Sequence, residues 1–266
     1  MALLDSRARA QIPGLQLSGR YEQSGFAIGR SEPRAALMVN DKPVGRASAD
    51  GLFVIGFDRD EASTVKLTVV LTDASIDHQV AVQALDYDIQ RIDGLPQDQV
   101  TPSNPALLAR IAAEAKRKAA GFASNIDADY FRTGFVMPLQ GARRSARFGG
   151  QRILNGVPER PHYGSDLAAP TGTPVHAPCG AVVCFAETGL HYEGGLILLD
   201  HGQGLISAYL HLSKVEVRQG QTVDQGEKIG EVGREGRATG PHLCWRMKWR
   251  DRYMDPMLMV GARAPA

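Results

Sequence analysis

The sequence holds no run of 18 apolar residues, so nothing in it reads as a membrane-spanning helix. It also lacks an excess of charge of either sign: 30 Lys and Arg stand against 29 Asp and Glu, a net of +1. That balance points away from a general binder of nucleic acid or membrane surfaces. The first ten residues, MALLDSRARA, lack the apolar stretch of a secretory signal. The expectation is therefore either a cytosolic protein or a mature form from which an export signal was removed. Cysteine is scarce. The three present, Cys179, Cys184 and Cys244, are an odd number that leaves at least one thiol outside any internal bridge. Cys179 and Cys184 lie in one apolar stretch. On a single strand they would point to opposite faces, too far apart to bridge, so two small packing residues are expected there.

What is present suffices for a folded core. The 266 residues suit one large domain or two ordinary ones, and 43% hydrophobic with 22% charged residues is typical of globular proteins. Residues 14–90 carry short apolar runs (LQLSG, FAIG, AALMV, GLFVIGF, VKLTVVL, QVAVQAL) divided by turn signals such as Asn40-Asp41-Lys42-Pro43 and Asp50-Gly51. This spacing predicts a small antiparallel β-sandwich. The region lacks any catalytic-looking cluster, and His78 reads as an isolated surface residue.

After Asp93-Gly94-Leu95-Pro96, the segment Asn104-Pro105 reads as an N-cap followed by the first residue of a helix. Residues 105–121 are strong helix formers, with an apolar stripe of Leu107, Leu108, Ile111, Ala112 and Ala115 and a stop at Gly121. The helix either links two domains or docks on the sheet of one of them. From Gly134 onward only strands are expected. The division is thus 1–98 (β-sandwich-like accessory domain), 99–133 (helical linker) and 134–266 (second β domain).

Six of the seven histidines fall in that second domain: His162, His176, His191, His201, His211 and His242. His162 and Asp166 are suitable zinc ligands if the chain folds back between them. Gly164 permits the bend, and Pro170 and Pro174 argue against a helix. From His242 to Trp249 the sequence alternates strictly. His242, Cys244, Arg246 and Lys248 share one face, while Leu243, Trp245, Met247 and Trp249 share the other. A structural cysteine would more naturally sit on the apolar face, so the place of Cys244 beside His242 favours a ligand role. His211, between Leu210 and Leu212, is expected to point away from an apolar face.

Together these segments resemble the lysostaphin- or LytM-type zinc endopeptidases. That family's pattern is a His-x-x-x-Asp pair, then Tyr-x-His-Leu-Ser, then Gly-Pro-His-Leu-His. Here the corresponding residues are His162…Asp166, Tyr209-Leu210-His211-Leu212-Ser213 and Gly240-Pro241-His242-Leu243-Cys244. The stretch Leu167–Val175, the turn Asp200-His201-Gly202-Gln203-Gly204 and the glycine spacing of Val217, Gly220, Val223 and Gly226 also match in order, so the resemblance covers about residues 135–260.

The resemblance implies a mainly β fold: the N-terminal antiparallel sandwich, the connecting helix, and a C-terminal antiparallel β domain of the lysostaphin/LytM type. It implies one zinc ion on His162, Asp166 and Cys244, where most relatives carry a third histidine, and His211 and His242 as catalytic residues. The implied function is hydrolysis of peptide cross-links of bacterial peptidoglycan, with peptide stems as substrate and work outside the inner membrane. A partner wall protein for the N-terminal domain is a further expectation. The alternative is a non-cutting domain of the same fold, with Cys244 as the lesion, that binds wall or regulates a partner hydrolase. A thiolate in place of an imidazole would lower the charge of a zinc site from about +1 to near 0, and Arg246, on the same face, is positioned to compensate. Arg152 matches a recurrent family arginine and is expected to play a structural hydrogen-bonding role. His176 and His191 are expected to be packing or surface residues, with the His191 loop an alternative candidate to border the substrate groove, and His201 to hold a structural turn position.

Overall fold

The computed structural model describes residues 7–265. Residues 1–6, part of the stretch read for a leader, lie outside them. No helix among the described residues is long and apolar enough to cross a membrane.

The N-terminal half is built as the alternating runs predict. One four-stranded antiparallel sheet runs Arg7–Ile12, Leu15–Arg20, Phe26–Arg30, Leu52–Gly56. A second runs Lys42–Arg46, Ala36–Val39, Thr64–Val70, Ser75–Ala81. Leu17, Ile28 and Val54 of the first and Leu37, Leu67 and Val69 of the second are buried in one shared core. One turn reading needs correction. Only Asn40 and Asp41 form the turn, with φ of +49° and +62°, and Lys42-Pro43 already belongs to a strand. Such a left-handed pair closes a two-residue hairpin, and proline is tolerated because Lys42–Arg46 is an edge strand that spares its missing donor.

The C-terminal half is a ten-stranded sheet. Its main order is Arg143–Ala146, Ser165–Ala168, His242–Trp249, Leu205–Val215, Gly194–Asp200, Ala181–Leu190, Thr222–Val223. The expectation of strands alone fails at Pro256–Met259, a one-turn helix whose N-cap Asp255 accepts from Met257 N. Opposed residues sort the sheet's two faces. Tyr209 faces Trp245, and Leu205 faces Trp249, on the side of the large shared core. On the other side Leu210 faces Cys244, Ala208 faces Arg246 and Ile206 faces Lys248. That core is continuous with the sandwich: a Cβ on Gly56 would stand 2.5 Å from Met254 Sδ and 2.9 Å from Trp249 Cβ.

The helix Pro105–Phe122 begins as expected, with Asn104 accepting from the backbone of Ala106 and Leu107. It docks on the second face of the C-terminal sheet, where Phe122 packs against a buried cluster that includes Phe185, Leu198 and Ile206. The inward side differs from the apolar stripe read from sequence. Leu108 is 45% exposed, and the helix residues fully buried are Glu114 and Gly121. Gly121 lets the backbone touch the sheet, since a Cβ there would lie 2.9 Å from Leu198 Cδ1. Glu114 accepts from the backbone of His191 and from Arg110, so the docking contact is partly polar. Before the helix, Ile89–Ile92 leaves the sandwich and pairs in parallel with Gln151–Leu154 of the C-terminal half.

Candidate metal centre

Two strands and the loop before them bring three donors together. Asp166 and Cys244 are directly opposed in the antiparallel register. His162 folds over them from the loop that precedes Asp166. Gly164 makes that approach possible: a Cβ there would lie 2.8 Å from both Cys244 Sγ and Arg246 Cγ. His162 Nε2 is 3.3 Å from Cys244 Sγ and 3.1 Å from Asp166 Oδ1. All three donor atoms lie within 4.8 Å of one another, and all three residues are buried.

The electrostatics suit a cation. Burial lowers the His162 pKa to about 4, so its imidazole is neutral and has a lone pair to give. Burial works against the Asp166 carboxylate, yet His162, His242 and Arg152 hold its pKa well below the usual carboxylate range. Asp166 Oδ1 is buried and has no hydrogen bond. A buried anionic oxygen without a partner is costly unless a cation satisfies it. Burial pushes the Cys244 thiol up to about 12 and Asp166 adds to this, while Arg246, donating from Nε to Sγ at 3.4 Å, opposes it. One imidazole, one carboxylate and one sulfur at this separation form a donor set that fits zinc, with room for a fourth ligand. Arg152 donates to Asp166 Oδ2 at 3.4 Å, the hydrogen-bonding role expected of it.

His211 and His242 flank the cluster, their rings 4.7 Å apart. His242 Nε2 is 3.8 Å from Asp166 Oδ1. Each ring is oriented by its backbone surroundings: Nδ1–H of His211 donates to Glu235 O, and Nδ1–H of His242 donates to Gly240 O, both at 2.8 Å. That fixes the tautomer and leaves Nε2 as the basic nitrogen of each ring. Burial, then the neighbouring His242, lowers the His211 pKa to about 3, so His211 is neutral near pH 7.

His211 does not reach the site by strand alternation. Leu210 lies on the face of Cys244, while Leu212 packs into the opposite core. The two leucines therefore do not share an apolar face. His211 adopts φ +66° beside an irregularity in the pairing with Gly194–Asp200. A left-handed residue at a bulge turns a side chain that alternation would have sent to the core.

Among the described residues, no other histidine joins the donor group. His201 is fully buried: its Nδ1–H donates to Gly180 O and its Nε2 accepts from Ser207 Oγ. His176 sits in the short strand Pro174–His176. The His191 ring lies 3.1 Å from Asp98 O of the one-turn helix Gln97–Val100. A cavity of about 310 Å³ opens over Arg152, Asp166, His211 and His242, with Gln90 and Leu95 on its rim. The sequence carries no local signal for those two, because they reach the site through the pairing of Ile89–Ile92.

Comparison with known proteins agrees with this geometry. Residues 160–256, which contain every side chain of the cluster and both flanking histidines, match the model of peptidase family M23. The chain is 41% identical over 109 residues to the peptidoglycan DD-endopeptidase ShyA of Vibrio cholerae, an overlap of 40% of this chain and 25% of that protein. It is 39% identical over 98 residues to ShyB of the same organism, covering 36% of this chain and 22% of that protein. The chain thus spans about a quarter of the length of these curated relatives. A solved structure of a Pseudomonas aeruginosa protein assigned to peptidase M23 superposes on 91% of this chain and 96% of its own, with TM-score 0.69 and 28% identity. Residues 160–256 of this chain thus carry a match to a peptidase family M23 domain.

Proposed function

We propose that this protein is a zinc-dependent endopeptidase that hydrolyses peptide cross-links of bacterial peptidoglycan, acting outside the inner membrane. The observation that carries the reading is the buried convergence of His162 Nε2, Asp166 Oδ1 and Cys244 Sγ beside two histidines whose Nδ1 atoms are both engaged. In this proposal His162, Asp166 and Cys244 hold one zinc, and His211 and His242 are the catalytic residues. Residues 134–266 form the peptidase unit, 99–133 the linker and 1–98 the accessory domain. The named relatives support the substrate class, being peptidoglycan DD-endopeptidases.

Zinc, when bound, supplies Lewis-acid chemistry: it acidifies a water and polarises a scissile carbonyl. The protein's own groups do the rest. His211 and His242 present basic Nε2 atoms that accept a proton from the attacking water and return one to the leaving amine. Between those two transfers the protonated ring of the pair donates toward the developing oxyanion. The two rings are close enough that a proton on one discourages a proton on the other. Arg246 at Cys244 Sγ and Arg152 at Asp166 Oδ2 offset the two negative charges of the ligand set. The cysteine therefore stands in a site that accommodates it, which favours activity over a decayed, purely binding domain.

The test is zinc per chain for the parent and for Cys244→Ala, measured alongside peptide release from purified peptidoglycan. Near-stoichiometric zinc that falls in the variant, with digestion by the parent alone, is expected. A reduced, folded parent that takes up no zinc and releases nothing would overturn the proposal.

A further inference from the structure

The face of the sheet that carries the metal centre continues past Arg246 into a trough of about 720 Å³. Ile206, Ala208 and Leu210, all buried, lie beneath it. Lys248 and Arg246 line the strand wall, and Phe122 lies on the helix wall. The trough begins at the reacting centre, because Arg246 Nε touches Cys244 Sγ at 3.4 Å and Leu210 is the residue before His211.

Its charge is unbalanced. Five cationic side chains, Lys118, Arg160, Arg246, Lys248 and Arg250, line it against two acidic ones, Glu193 and Asp251. Both acids are already engaged: Glu193 pairs with Lys118 at 2.6 Å, and Asp251 with Arg252 at 3.6 Å. Among the described residues, Arg160 and Lys248 make no ion pair. Lys248 is nevertheless held in place, its Nζ 5.4 Å from the ring centroids of both Phe122 and Tyr253. A lysine ordered by aromatic faces but left without a counter-ion among the described residues is a preformed seat for an anionic group on a peptide.

We infer that this trough seats a carboxylate-bearing part of the peptide substrate, with Lys248 and Arg160 selecting stem peptides whose carboxylates are free over those whose carboxylates are amidated. The inference rests on the peptidase reading and adds the chemical class of substrate to it. Neither residue touches the donor cluster or the two histidines, so their effect falls on binding and not on the chemical step.

The experiment compares cross-linked stem peptides in two forms, with free and with amidated carboxylates, on the zinc-loaded parent and on Lys248→Gln, Arg160→Gln and the double variant. The parent is expected to favour the free form by about tenfold in kcat/KM, the size of effect one well-placed charge pair supplies. In the double variant KM for the free form should rise by a similar factor, about tenfold, with kcat and zinc content unchanged and the amidated form cut as before. Added salt should raise KM for the free form in the parent and not in the double variant. A parent that cuts both forms equally well, or variants that lose equally on both, would overturn the inference while leaving the peptidase reading intact. If neither form is cut, the peptidase reading fails, and calorimetric binding of the same two peptides decides the trough by itself. Tighter binding of the free form that vanishes in the double variant supports it, and equal binding of both forms overturns it.

Discussion

Asp166 and Cys244 face each other as directly opposed residues of two antiparallel strands. That single register pair brings a carboxylate and a sulfur to one point, and His162 closes over both, with Nε2 at 3.1 Å and 3.3 Å. The register matters because side chains alternate along a strand. A slip of one residue would send Cys244 into the core and Leu243 toward the metal site. Four consequences can be measured.

The sulfur makes the centre oxidisable, because ligation needs a deprotonated, unoxidised thiol. Mild peroxide is expected to release zinc from the parent and to leave Cys244→His loaded. Burial raises all three thiols, Cys179 to about 11 and Cys184 and Cys244 to about 12, but zinc would hold only Cys244 ionised, so the other two, outside the donor cluster, should react slowly. Zinc content after graded peroxide is the readout. Equal loss from parent and Cys244→His would refute the thiol as the sensitive group.

Gly164 holds the space in which His162 and Cys244 meet. Gly164→Ala places a Cβ 2.8 Å from Cys244 Sγ and from Arg246 Cγ. Overpacking of this kind costs about 1–3 kcal/mol. The arginine can swing aside, but the sulfur cannot move without leaving the donor cluster. Zinc affinity measured against a competing chelator should therefore fall by at least about tenfold, since roughly 1.4 kcal/mol is a factor of ten. An unchanged affinity would mean the loop relaxes without disturbing the donors.

His211→Gly removes the imidazole and suits the backbone, because glycine adopts the φ of +66° without strain. Zinc content should remain that of the parent while kcat falls by about 10²–10⁴, the usual worth of a positioned acid or base. A variant that keeps full turnover would remove His211 from the mechanism, and one that loses zinc would make it a ligand instead.

Acid should destabilise the fold through His201. Burial depresses its folded pKa from 6.5 to about 4. Above 6.5 the residue is neutral in both states and its contribution is complete. Between 6.5 and about 4 only the unfolded chain takes up the proton, so stability falls as pH falls through that window. A difference of that size in proton affinity between the folded and unfolded chain is worth on the order of a few kcal/mol. Denaturant midpoints measured from pH 7.5 to 4.5 test this, and a flat profile in the parent would contradict it.

Much of the centre is legible along the chain because it depends on local order. Alternation from His242 to Trp249 sorts polar from apolar faces whatever the rest of the protein does, and the observed register keeps that sorting. Asn104-Pro105 caps a helix through contacts two and three residues away. The short alternating runs of residues 14–90 are enough to make antiparallel strands. The ordered His162…Asp166, His211 and His242-Leu243-Cys244 segments carry the family resemblance.

Other features exist only once distant segments meet. The orientation of His211 comes from a left-handed residue at a break in pairing with the neighbouring strand, which no periodicity along 205–215 reveals. The helix turns Glu114 and Gly121 inward in place of its richest apolar stripe, because the sheet offers a close backbone approach and the His191 loop offers a donor for Glu114. Alternation puts Arg246 on the right face, but its contact with Cys244 Sγ, and a Lys248 beyond it that makes no ion pair among the described residues, are properties of packed surfaces. Local sequence specifies which way a side chain points from its own strand. Which charges find partners, and which are left for a ligand, depends on what the folded chain brings against them.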